Sequence, residues 1–143
     1  MGVVIVYRRT AAGISEDQLS GPFFTGWPNP PDPATHLQVL LGSDHVALAV
    51  LEADQRVIGF ATAISDGVLA AYIPLLEVVP EYRGRGIGSD LIRELLDDIG
   101  DLYMIDAMVD PDLQPFYRHL GLRPSTGVAL RNYDRQSGQR GVV

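Results

Sequence analysis

The sequence predicts an α/β (α+β) domain built on a mixed, mostly antiparallel sheet of about six to seven strands flanked by about four helices. Three observations carry that expectation. Two apolar, β-branched runs, "HVALAVLE" and "VIGFATAI", are joined by the polar turn "ADQR", the pattern of an antiparallel hairpin. Further on, the apolar run "LAAYIPLLEVV" leads through "PEYRGRGIG" into a stretch whose apolar residues recur at helical spacing. Finally, 143 residues with 46% apolar and 20% charged side chains suit one globular domain over residues 1–143.

Taken in order, "VVIVY" predicts a first strand, and "ISEDQL" predicts a short helix with Ser15 as its N-cap. The segment up to Pro31, rich in glycine, proline and aromatic residues, reads as an irregular loop. Asp32 then caps a helix with Pro33 in its first position and Leu37, Leu40 and Leu41 on one face. The hairpin follows, and after the turn "SDG" comes the long strand. Beyond the glycine loop, Ile87, Leu91, Ile92, Leu95, Leu96 and Ile99 form an apolar stripe opposite Asp90, Arg93, Glu94, Asp97 and Asp98, and Gly100 stops the helix. "LYMIDAMV" predicts another strand. "DPDLQPFYRHLG" predicts a short helix with Asp112 as N-cap, Pro115 in the first turn, Gly121 as C-cap, and Leu113, Phe116, Tyr117 and Leu120 sharing a face. A last strand is expected around "GVALRNY", with a loose tail after about residue 134.

Composition narrows the function. A net charge of −7 argues against a non-specific nucleic-acid binder, which needs a basic face to displace counterions, and mildly suits a cationic substrate. No apolar run approaches the roughly 20 residues of a membrane span, and "MGVVIVYRRT" does not resemble a signal peptide, so a cytoplasmic location is expected. The absence of cysteine excludes disulfides, thiolate metal sites and a cysteine-bound acyl intermediate. His36, His45 and His119 show no metal spacing and read as structural or surface residues, so no metal is expected.

The stretch "LLEVVPEYRGRGIGSDL" carries the chemistry. A strand that ends in a glycine-rich turn opening a helix is an anion site, because the first helical N–H groups lack partners and the helix dipole adds positive potential. Arg83 and Arg85 strengthen it, and Gly84, Gly86 and Gly88 let an anion approach the backbone. A P-loop is excluded, since no Lys-Ser or Lys-Thr pair follows the glycines. A dinucleotide loop is opposed by the polar "PEYR" between strand and first glycine and by the few residues left for further parallel strands. A coenzyme A pyrophosphate loop fits the residues, against the bland reading that the glycines only make a turn.

"RGRGIG" resembles the R/Q-x-x-G-x-G/A motif of the GNAT N-acetyltransferase superfamily, and "LEVVPEY" its fourth strand and lead-in. "FYRHLGL" is similar to the family's second signature, an aromatic-Tyr helix ending in glycine and an apolar residue. The likeness is close from about Val57 to Arg123 and looser at "GWPNPP" and "LRNY", as in a small bacterial single-domain branch.

The resemblance implies acetyl-CoA as donor, its pyrophosphate on the amides of Arg83, Gly84, Arg85, Gly86, Ile87, Gly88 and Ser89, and its pantetheine beside Val78, Val79 and Phe116. It also implies that the Val78 N–H polarises the thioester carbonyl. Tyr117 matches the family's tyrosine that protonates the departing sulfur; the alternative is a core aromatic beside Phe116. Glu77 is the candidate base, as a lone carboxylate in an apolar strand with Leu76 and Val78 facing the core; the alternative is a solvent-facing or arginine-paired residue. Phe23, Phe24 and Trp27 resemble the family's variable acceptor segment, with Phe24 and Trp27 as substrate-wall candidates, and core packing explains them equally well. Asp66, Asp106 and Asp110 stand between attracting a cation and capping turns. The activity implied is direct acetyl transfer to a primary amine of a small molecule or peptide, by a chain that can form a homodimer and has no nucleic-acid or membrane partner; the alternative is an acyl-CoA-binding module without catalysis.

Overall fold

A computed structural model describes residues 2–139 of the chain. Five strands form one sheet in sequence order: β1 (Ile5–Arg8), β2 (His45–Leu51), β3 (Val57–Ser65), β4 (Ala70–Val78) and β5 (Met104–Asp106). The first four pair antiparallel and β5 joins β4 parallel, so the class is the predicted mixed, mostly antiparallel one. Three α-helices accompany it, α1 (Pro33–Gly42), α2 (Ile87–Ile99) and α3 (Gln114–His119), with short 3₁₀ turns between.

The β2–β3 hairpin forms as the alternation requires, closed by a turn in which Gln55 takes a φ of 63°. On one face of the sheet, Leu91, Ile92 and Leu95 of α2 pack on Ala47, Ala49, Ile58 and Ala61, all fully buried. Small side chains in the centre of the sheet let the helix come close. At Gly59 a Cβ would stand 3.0 Å from Leu91 Cδ1, so the approach needs glycine. The opposite face packs Leu48, Val50 and Phe60 against Leu19, Phe24 and Leu40. Beyond the core, Arg9 bonds Glu94 at 2.8 Å and Asp97 at 2.6 Å, tying the end of β1 to α2.

Several expectations are corrected. Leu41 is 61% exposed, because the inward face of α1 is built by Thr35, His36 and Leu40. Only residues 104–106 of "LYMIDAMV" pair, since β4 and β5 diverge after Tyr72 and Asp106. "GVALRNY" forms no strand: the segment before the Tyr133–Arg135 turn has no regular structure, with Val128 and Leu130 each 96% exposed. Asp112 lies inside a 3₁₀ turn, Pro111–Leu113, and Leu113 takes the N-cap position of α3, although Pro115 does fall in the first turn. The tail is docked as far as it is described, with Asn29 N–H donating to Gln136 Oε1 at 3.0 Å and Gln139 Nε2 to Asp32 Oδ2 at 3.3 Å. Residues 140–143 of that expected loose tail lie outside the described residues.

Candidate active site

The glycine loop sits where β4 ends. Pro80–Tyr82 makes one 3₁₀ turn, Gly84 and Gly86 take φ values of 77° and 81°, and α2 starts at Ile87. Left-handed backbone at two positions explains two of the glycines, since a Cβ there costs about 1–2 kcal/mol. The first intrahelical bond runs from Asp90 N–H to Gly86 C=O, so the amides of Ile87, Gly88 and Ser89 precede the ladder. The N-cap glycine offers them no side chain, which leaves three donors and the positive end of a 13-residue helix for an anion.

Both arginines are fastened beside this cradle. Arg83 Nε donates to Val78 C=O at 2.9 Å, and the Arg85 guanidinium lies 4.9 Å over the Tyr82 ring. They contribute field from fixed positions. A Cβ at Gly88 would lie 3.6 Å from Phe116 Cζ, an ordinary contact distance, so Phe116 packs over the helix start. Tyr117 stacks edge-on to Phe116 at 5.0 Å and is 8% exposed; burial raises its phenol above the ordinary value, which keeps the proton on it at neutral pH.

The two backbone candidates on β4 part company. Val79 N–H donates to Ile58 C=O at 2.8 Å, so it is spent on the sheet and not free as expected. In an antiparallel ladder the neighbouring residue points its backbone groups the other way, so Val78 presents its N–H toward the side where β5 has diverged. Its C=O, on that same side, is taken by Arg83. Leu76 and Val78 pack on the α2 face of the sheet as expected, and Glu77 on the other face.

Glu77 is half-buried, and its Oε1 accepts the N–H of Phe24 at 2.6 Å. Burial raises its carboxyl above the ordinary value, opposed by the Phe24 N–H and the charge of Arg83. Phe24 is a non-glycine residue with a φ of 59°. That conformation costs about 1–2 kcal/mol, which the bond to Glu77 and the burial of the Phe24 ring together offset. The Phe24 ring is 4% exposed and packs against Trp27, His36 and Phe60, which places it in the core and not on an open substrate wall. Trp27, partly exposed, is the part of this cluster that reaches the surface. His36, 1% exposed among three phenylalanine rings, is lowered by burial to about 4 and stays neutral.

A cavity of about 710 Å³ lies between β5, α3 and the segment after it, lined by Tyr72, Asp106, Tyr117, Arg118 and Arg123 among others. None of residues 78–89 lines it; Tyr117 alone links it to the residues above. Asp66 is a turn residue, its Oδ1 accepting from Val68, Leu69 and Ala70, which lowers its carboxyl. Asp106 lies on β5, and Asp110 is the N-cap of the Pro111–Leu113 turn without a side-chain capping bond. His45 pairs with Asp98 at 2.8 Å and His119 is exposed. Among the described residues no three His, Cys, Asp or Glu side chains form a group able to hold a metal ion, and no helix is long and apolar enough to cross a membrane. The tether from Glu77 to Phe24 was not visible in the sequence, because nothing in "GPFFTGW" marks a left-handed phenylalanine.

Comparison with known proteins identifies the family and the fold. Residues 16–122 match the model of the acetyltransferase (GNAT) family. A crystal structure of a candidate acetyltransferase from Deinococcus radiodurans R1 superposes with a TM-score of 0.91 at 47% identity, covering 96% of this chain and 94% of that one. The chain is 32% identical over 117 residues to the chloroplastic GCN5-related N-acetyltransferase 1 of Arabidopsis thaliana, covering 80% of this chain and 59% of that protein's length. The aminoglycoside N-acetyltransferase AAC(6')-Iy, solved in complex with CoA, shares the fold at a TM-score of 0.64 and 21% identity, covering 92% of this chain and 96% of that one.

Proposed function

Since the chain belongs to the GNAT acetyltransferase family, we propose that it moves the acetyl group of acetyl-CoA directly to a primary amine of a small molecule or peptide. The observation that carries this reading is the open first turn of α2, whose Ile87, Gly88 and Ser89 amides follow two left-handed glycines and lie beside Phe116 and Tyr117. A diphosphate has the charge and oxygen geometry for such a cradle.

In this scheme Arg83 and Arg85 add charge to the cradle, while the Val78 N–H stabilises the oxyanion that forms when the amine nitrogen attacks the thioester carbonyl. Glu77 accepts the proton lost by the amine, through the oxygen that Phe24 leaves open. As the carbon–sulfur bond breaks, Tyr117 gives its proton to the leaving thiolate. Trp27 lines the acceptor side, and the net charge of −7 favours cationic amines.

One observation favours a second reading, an acyl-CoA-binding module without catalysis: the only carboxylate on β4 already holds a backbone N–H. A homodimer belongs to the first reading, supported by the exposed Tyr103 and Met104 at the edge strand β5. So does a cytoplasmic location, although the Arabidopsis relative is chloroplastic.

Calorimetric titration with acetyl-CoA, followed by turnover over a panel of primary amines, tests the proposal. Binding with turnover is expected. Binding without turnover over the whole panel would support the module, and no binding by the folded protein would remove both readings.

A further inference from the structure

We infer that Glu77 is the positioning residue of the acceptor wall: its carboxylate holds the left-handed Phe24 turn and, through that turn, Trp27. The consequence for the acceptor rests on the acetyltransferase reading; the tether itself does not.

Glu77 stands on the α1 face of the sheet, directly across from Phe60. Its 2.6 Å bond to the Phe24 amide spans 53 residues of sequence and joins the central part of the sheet to the tip of the loop. Among the described residues, the other hydrogen bonds of residues 21–27 are local: Phe23 to Gly21, Thr25 to Pro22 and Trp27 to Phe24. Such bonds shape the loop without fixing where it sits.

Phe24 is the hub of what is fixed. Its ring lies 4.9 Å from Trp27, 5.1 Å from His36 and 5.9 Å from Phe60, and its carbonyl accepts the Trp27 N–H at 3.1 Å. Its amide and its Cβ stand on one Cα with φ held at 59°, so holding the amide also holds the root of the ring. A carboxylate that captures the amide therefore also aims the aromatic cluster. Glu77 is flanked on β4 by Val78, whose N–H faces the divergence from β5, so the wall that meets an amine is registered to the strand beside which the thioester is proposed to lie.

Side-chain length and charge can be separated at this position. Glutamine keeps an Oε1 acceptor at the same reach and removes the charge. Aspartate keeps the charge and withdraws the oxygens by one methylene, and alanine removes both. Trp27 is the only tryptophan in the chain, so its emission reports on this loop alone.

The experiment is Trp27 emission and acrylamide quenching in the wild type, Glu77→Gln, Glu77→Asp and Glu77→Ala, with circular dichroism to establish folding. Glu77→Gln is expected to overlay the wild type. Glu77→Asp and Glu77→Ala are expected to shift emission to the red and to raise the quenching constant at least about twofold, as a loop loses its anchor. Should alanine fail to fold, aspartate decides. Shielding equal to wild type in both shortened variants, or exposure in the glutamine variant equal to theirs, would overturn the tether. Acetyl-CoA titration of the same proteins is expected to give affinities within about twofold of one another, because the donor cradle lies off this loop. A wild type that binds no acetyl-CoA overturns the acetyltransferase reading and not the tether, which the emission decides.

Discussion

The glycine loop that opens α2 and the aromatic loop that precedes α1 flank the same strand, β4, but they are held by different parts of the chain. On the first side the proposed working groups are backbone amides, aimed by glycines at φ values near 80° and by the start of a helix. On the second the proposed working groups are side chains, and the backbone is bent at a phenylalanine held by a distant glutamate and by the packing of its own ring. A site made of backbone tolerates exchange of its side chains so long as the glycines stay. A site made of side chains depends on a particular set of them.

That contrast can be broken or sharpened. The largest effect is expected at Gly86, where nothing stands within 4 Å of a Cβ, so a side chain finds space and acts through its charge and conformation. Gly86→Asp and Gly86→Asn tolerate the left-handed backbone similarly, and a carboxylate beside a diphosphate costs about 4 kcal/mol at an effective dielectric near 20. Acetyl-CoA affinity measured by calorimetry should therefore fall on the order of 10³-fold in the aspartate variant and far less in the asparagine one. Equal losses would mean that conformation, not charge, governs the cradle.

Next in size is Tyr117→Phe, which removes a proton donor and leaves the edge contact with Phe116. Its turnover number is expected to fall about 10²-fold with acetyl-CoA affinity unchanged, by steady-state kinetics and calorimetry. In the same assay, the acid limb of the wild-type rate profile should fall above the ordinary glutamate value of 4.5, since burial raises Glu77 and a base works only when deprotonated. Glu77→Gln should abolish that limb.

His36 tests the aromatic side alone. Its pKa is lowered from 6.5 to about 4 by burial, so the unfolded chain takes up a proton that the folded one refuses. Stability should drop by about 2 kcal/mol between about pH 7 and pH 5, by urea denaturation, and His36→Leu should flatten that slope. The smallest effect is expected at Leu41, where an exposed apolar side chain replaced by lysine should leave stability within about 0.5 kcal/mol.

What was legible in the sequence follows the same division. The hairpin, α2 and the glycine cradle were readable because period and glycine placement are local signals of backbone geometry. The apolar stripe of α2 is buried as read, with Leu96 only half-buried against the same core, while the face of α1 was misjudged at Leu41, because a histidine took an inward position that hydrophobicity assigns to leucine. The strand expected at "GVALRNY" has the right composition, but a strand also needs ladder pairing with a neighbour, which composition does not encode. The bond from Glu77 to Phe24 crosses 53 residues, and no local pattern encodes it.

The docked tail binds the aromatic loop to the far end of the chain. Gln136 receives the Asn29 amide, Gln139 reaches Asp32, and a Cβ at Gly138 would stand 2.7 Å from Thr35 Cγ2. Residues 29–35 and 136–139 thus form one unit written in two distant pieces of the gene. Recombination that replaced either piece alone would join mismatched halves, so a chimera designed to exchange this part of the surface has to carry both as a single cassette.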